Sequence, residues 1–63
     1  MDRIMARLTG RIIAKDMEKC GLGIYRKGFL LYDRKKWASK EECMRYVMWV
    51  YRTSEAFAGY IIE

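Results

Sequence analysis

The chain has 63 residues, with 13 Lys and Arg against 8 Asp and Glu, two Cys and no His. That length holds one small domain, residues 1–63, with proportionately less buried surface than a typical domain. The missing imidazole removes the commonest acid–base group, and Cys20 and Cys43 lie too far apart in sequence for a local zinc motif. No cofactor, no metal and no enzymatic activity are therefore expected.

Small chains offset a thin core with disulfides, metals or self-association. With no metal motif, and with the two thiols read as free and half-buried, a homodimer is the expected compensation. The spacing of Cys20 and Cys43 neither requires nor forbids a disulfide. A hydrophobic content of 52% with two Trp, five Tyr and two Phe is that of a folded chain. The longest apolar run, Tyr46–Tyr51, is too short to span a bilayer, and charges throughout the first twenty residues leave no secretory signal. A reducing, cytoplasmic setting is the expectation. The net charge of +5 suits nucleic acid, an anionic membrane or an acidic protein as partner.

Residues 3–20 read as a helix. Sorted four apart, they give a basic row of Arg3, Arg7, Arg11, Lys15 and Lys19. The next rows, Ile4-Leu8-Ile12-Asp16-Cys20 and Met5-Thr9-Ile13-Met17, are largely apolar and adjacent, which marks them as the core-facing side. The row Asp2-Ala6-Gly10-Ala14-Glu18 is small or acidic and borders the cations. As a strand the same stretch would mix Arg with Met and Ile on one face; only the helix segregates them. A four-residue repeat of cations is how a helix keeps one face wet. Like charges at that spacing nevertheless repel by roughly 0.2–0.5 kcal/mol per pair, and few acids accompany them. The row has the form of a face waiting for an anion. Gly21 and Gly23 supply the stop, one of them as a left-handed cap.

Residues 22–26 and 29–33 read as a hairpin around Arg26-Lys27-Gly28, with Gly28 taking the positive φ of a tight turn. Such a hairpin is stable only against a helix or a second copy. Ser39-Lys-Glu-Glu42 is a capping box that starts a helix over about 40–52. Cys43, Val47, Val50 and Tyr51 form its apolar face, and Trp49 falls on the polar side with Arg45. Residues 57–62 fit either a continued helix, since Phe57, Tyr60 and Ile61 keep helical spacing, or a short last strand joining the hairpin; the strand is preferred because Thr53 and Ser54 interrupt the helix and Gly59 disfavours it. The expected fold is α+β: a basic amphipathic helix, a hairpin, a capped second helix and a short C-terminal strand.

The candidate binding residues follow from charge interleaved with aromatics. Arg26 and Lys27 crown the hairpin, Arg34, Lys35 and Lys36 follow it, and Tyr25, Phe29, Tyr32 and Trp37 lie between. With Arg3, Arg7, Arg11, Lys15 and Lys19 they form a set suited to phosphate contact and base stacking, on nucleic acid or an acidic partner. A basic hairpin followed by a capped helix resembles, in layout alone, small β-sheet DNA readers such as integrase arm-binding domains. The competing expectation is a protein-binding regulator. It would be an inhibitor or adaptor of a nucleic-acid-handling protein, of the kind found among anti-CRISPR proteins and antitoxins. Trp37, Arg45 and Trp49 would be its contacts, since Trp and Arg dominate interface energetics. A basic helix lying on an anionic membrane is the third class.

Overall fold

The computed structural model describes the backbone of residues 3–63 and the side chains from Arg7 onward. It is an α+β arrangement of α1 (Arg3–Lys19), β1 (Gly23–Arg26), β2 (Phe29–Tyr32), α2 (Lys40–Val50) and α3 (Glu55–Ile61).

α1 ends in a double-bonded C-cap. Leu22 N–H donates to the Met17 carbonyl at 3.0 Å and Gly21 N–H to the Glu18 carbonyl at 3.0 Å, with Gly21 at φ 75°. Of the two glycines, Gly21 is thus the left-handed residue that closes the helix. Gly23 has a different reason to lack a side chain: a Cβ there would stand 2.7 Å from the Leu31 carbonyl oxygen.

The buried side of α1 is rotated from the expected one. Ile13 and Met17 are buried as anticipated, but their buried neighbours are Gly10 and Ala14 of the small row. Leu8 and Ile12 lie outside, 52% and 68% exposed. The cause is close packing against α3, since a Cβ on Gly10 would come within 2.8 Å of Ile61 Cγ2. A small-residue stripe lets a second helix approach, and the larger apolar row is left facing away.

β1 and β2 pair antiparallel, with Tyr25 opposite Leu30 and Arg26 opposite Phe29. The two-residue turn is of the primed type, with Lys27 at φ 54° and Gly28 at φ 90°. Leu30 is fully buried, and Tyr25 and Tyr32 pack against the core beside it. Ile24, on the other face, is 59% exposed. α1 also guards the sheet edge: Tyr25 N–H, pointing away from β2, donates to Glu18 Oε2 at 2.8 Å.

The connection to α2 is tied down by Asp33. Its Oδ1 accepts from Lys35 N–H at 2.8 Å, and its carbonyl accepts from Lys36 N–H and Trp37 N–H. At the start of α2, Ser39 Oγ accepts from Glu42 N–H at 3.3 Å and Glu42 Oε2 accepts from Ala38 N–H at 2.8 Å. This is the anticipated capping box, with its return bond displaced by one residue. Cys43 and Val47 are the buried residues of α2. Tyr51, just past its end, donates its hydroxyl to Asp16 of α1.

The expected last strand is instead a helix. Ser54 Oγ accepts from Phe57 N–H at 3.1 Å, so the residue read as a breaker is the N-cap of α3. Ala58 and Ile61 then point into the core at helical spacing. Gly59 lowers helix propensity but meets Met44, whose Cε would lie 3.2 Å from a Cβ there. Only Ile62 behaves as strand, forming one parallel bridge to Leu30, while Glu63 N–H donates to the Leu30 carbonyl at 2.7 Å. Among the described residues, no helix is long and apolar enough to cross a membrane.

Candidate functional site

α1 runs down to its cap and β1 returns antiparallel beside it, so the hairpin turn comes back to the middle of the helix. This brings together cations that are distant in sequence. Arg7 and Arg11 from α1 and Lys27 from the turn line one cleft of about 160 Å³ with Gly10, Phe29 and Tyr60. No carboxylate lines it among the described residues.

The turn residues shape this cleft in different ways. Gly28 supplies φ 90°, and a Cβ on it would sit 3.3 Å from Arg11 Nε, so the glycine also makes room for the guanidinium. Lys27 holds φ 54°, a left-handed conformation that Asn or Gly adopts more readily. The primed turn accounts for this φ, and Arg52 at φ 56° shares the conformation away from the cleft, so the feature places Lys27 without by itself marking a site.

The aromatic component comes from β2 and α3. Phe29 and Tyr60 meet edge to face, with ring centroids 5.6 Å apart and planes at 71°. Tyr60 remains 47% exposed. Such a pair fixes both rings while leaving surface on the tyrosine for another flat group.

The remaining sequence candidates divide. Lys15 lies over the Tyr25 ring, 5.2 Å from its centroid, one step along α1 from Arg11. Lys19 and Arg26 are exposed. Arg34, Lys35 and Lys36 are exposed at the opposite end of the hairpin, with Arg34 over Tyr32 at 6.0 Å. Arg3 belongs to α1, and its side chain lies outside the described residues. The structure therefore brings Arg7 and Arg11 of the helix row together with Lys27 of the turn, while Lys15, Lys19 and Arg26 do not line that cleft and the third cluster lies apart.

The two tryptophans part company. Trp37 is half-buried, stacked at a tilt on Tyr46 at 5.2 Å, and its Nε1–H donates to the Leu22 carbonyl at 3.0 Å. It is a structural residue rather than an exposed contact. Trp49 is 81% exposed, with Val50 beside it at 45% and Arg45 also exposed on α2.

The cysteines are both free and unlike one another, Cys20 exposed and Cys43 fully buried. Burial, helped by the Glu42 charge, pushes the Cys43 thiol up to about 11. It is neutral near pH 7, the opposite of an activated nucleophile. Burial also raises the Tyr51 phenol, and the hydrogen bond to Asp16 adds to the shift.

Sequence reasoning did not single out Tyr60, Gly10 or Gly28 as parts of a site. The one available signal was Gly28 after two cations in a hairpin turn; Tyr60 required knowing that its segment is helical. In comparison with known protein families, curated proteins and solved structures, nothing matches this chain.

Proposed function

We propose that the protein is a small, non-enzymatic nucleic-acid-binding protein whose grip on phosphate is made by Arg7, Arg11 and Lys27, with Lys15 extending the contact along α1. The observation that carries this reading is convergence: cations from two separate elements line one cleft with no acid between them among the described residues and a partly exposed aromatic residue at its wall. A face built for stability alone would alternate signs and avoid the repulsion between Arg7, Arg11 and Lys15. Phosphates relieve that repulsion, and each neutralised phosphate releases counterions from the nucleic acid.

The test is a fluorescence-anisotropy titration of labelled oligonucleotides across salt concentrations. Contacts from Arg7, Arg11 and Lys27 give a log–log salt slope of roughly −2 to −3, and each charge removed should flatten it by a little under 1. Binding that ignores salt, or that survives reversal of all three charges, would sink the proposal.

Trp49 favours a second reading. An indole 81% exposed next to Val50 and Arg45 has the composition of an interface anchor, and it lies on a different helix from the cationic cleft. On this reading the protein is an inhibitor or adaptor that docks on a nucleic-acid-handling protein. Trp49→Ala would then abolish partner capture while leaving oligonucleotide affinity unchanged.

A further inference from the structure

We infer that the cleft takes single-stranded rather than duplex nucleic acid, with an unpaired base stacked on Tyr60; this rests on the phosphate-binding reading above and names its ligand class. The cations and the ring are arranged around a concavity, not on a projecting element. A duplex presents its bases edge-on inside the grooves, and readers of duplex DNA insert a helix, ribbon or arm to reach them. A tyrosine ring that lines a cleft can meet a base face only if that base is already out of a stack, or is flipped out at a cost of a few kcal/mol.

The local geometry suits a stacked base. The edge-to-face contact with Phe29, at 5.6 Å and 71°, takes up at most one face of the Tyr60 ring, and the ring is 47% exposed. Arg7, Arg11 and Lys27 line the same cleft, within reach of the phosphates that flank a base seated there. Gly10 contributes no side chain to the cleft it lines. A positive groove with an aromatic platform is the arrangement by which proteins hold single strands without reading sequence, because every base has a π face. Low sequence preference and a strong dependence on strandedness follow.

The experiment compares affinities for a poly-dT 15-mer and for a random-sequence duplex of equal length, using the wild type, Tyr60→Phe and Tyr60→Leu. The wild type should prefer the single strand at least tenfold. Tyr60→Phe keeps the π face and should retain that preference. Tyr60→Leu keeps apolar bulk against Phe29 and should weaken single-strand binding about tenfold with little change on the duplex. Should Tyr60→Leu unfold, Tyr60→Met, an apolar replacement that also lacks a π face, takes its place with the same expected loss, and absence of the wild-type strand preference overturns the inference on its own. Equal affinity for both ligands, or a preference untouched by Tyr60→Leu in a folded variant, overturns this inference and leaves the phosphate-binding reading standing. No binding to either ligand at low salt overturns both.

Discussion

At the turn of the hairpin, Arg7, Arg11 and Lys27 stand around a cleft walled by a partly exposed tyrosine. At the other end of the strands, roughly 13 Å away for four residues of extended chain, Arg34, Lys35 and Lys36 follow Asp33 beside a tryptophan whose N–H is already bonded. The two ends carry similar side chains. At the far end the acid organises the loop, and Trp37 packs on Tyr46 while tying the loop to Leu22. At the turn no acid intrudes among the described residues, and the aromatic ring is left partly free. Composition alone therefore does not mark a site; what matters is whether the polar and aromatic groups are already satisfied within the fold.

The contrast can be broken most forcefully at Trp37. Trp37→Ala removes the packing on Tyr46 and one of the two hydrogen bonds that the Leu22 carbonyl accepts, the other coming from Asp33 N–H, and should cost about 2–4 kcal/mol in urea unfolding. Trp49→Ala, at an 81% exposed position, should stay within about 0.5 kcal/mol. Equal losses would mean that the far end is not the structural one. Next in size is charge reversal. Arg7→Glu with Arg11→Glu should weaken oligonucleotide binding by roughly a hundredfold at low salt, against less than about fivefold for Lys35→Glu with Lys36→Glu. Reversed ranking would move the site to the other end.

Gly10→Ala tests the seam on which the cleft rests. Helix propensity gains about 1 kcal/mol, but the new methyl meets a fully buried, branched Ile61, so a net loss of about 1–2 kcal/mol is expected. Lys27→Asn sharpens the comparison differently. Asn-Gly is the favoured pair for this turn, so thermal unfolding should show a gain of about 0.5–1 kcal/mol while nucleic-acid affinity falls several-fold. A variant that gains stability and loses no affinity would remove Lys27 from the site.

The smallest effect is on pH dependence. The Cys43 thiol titrates at about 11 in the folded protein against 9.0 for an unperturbed thiol. A raised folded-state value means that the neutral form is favoured by the fold. Its contribution is complete below pH 9 and is lost as pH rises towards 11. The raised Tyr51 phenol acts in the same sense from pH 10 upward. Stability measured between pH 8 and 11 should therefore fall, and Cys43→Ala should flatten the early part of that fall.

Local signals made most of this fold legible. The segregated rows give α1, Gly28 gives the turn, and Ser39 with Glu42 gives the start of α2. For α3 the spacing of Phe57, Tyr60 and Ile61 offered a helix as the alternative, but Ser54 carries only half a capping box, with Phe57 where a Glu would stand, and Gly59 tipped the reading to a strand. The orientation of α1 was hidden for another reason. Two rows adjoin Ile13 and Met17, one rich in large apolar residues and one in small ones, and which is buried depends on where α3 arrives. That same event, Ile61 seating on Gly10, places Tyr60 beside Arg7 and Arg11. The cations of the site were readable one by one; their meeting place was a property of the tertiary packing.

The hydrogen bond from Tyr25 to Glu18 has a consequence for assembly. Two-stranded sheets tend to grow by recruiting a further strand at an exposed edge, and a charged side chain laid across that edge discourages it. Here Glu18 takes the outward amide of β1, and Ile62 with Glu63 occupies the outward groups of Leu30 on β2. Both flanks of the sheet are thus shielded by the chain's own residues. A second copy of the molecule would find these edge positions already taken, which discourages it from adding a strand to the sheet.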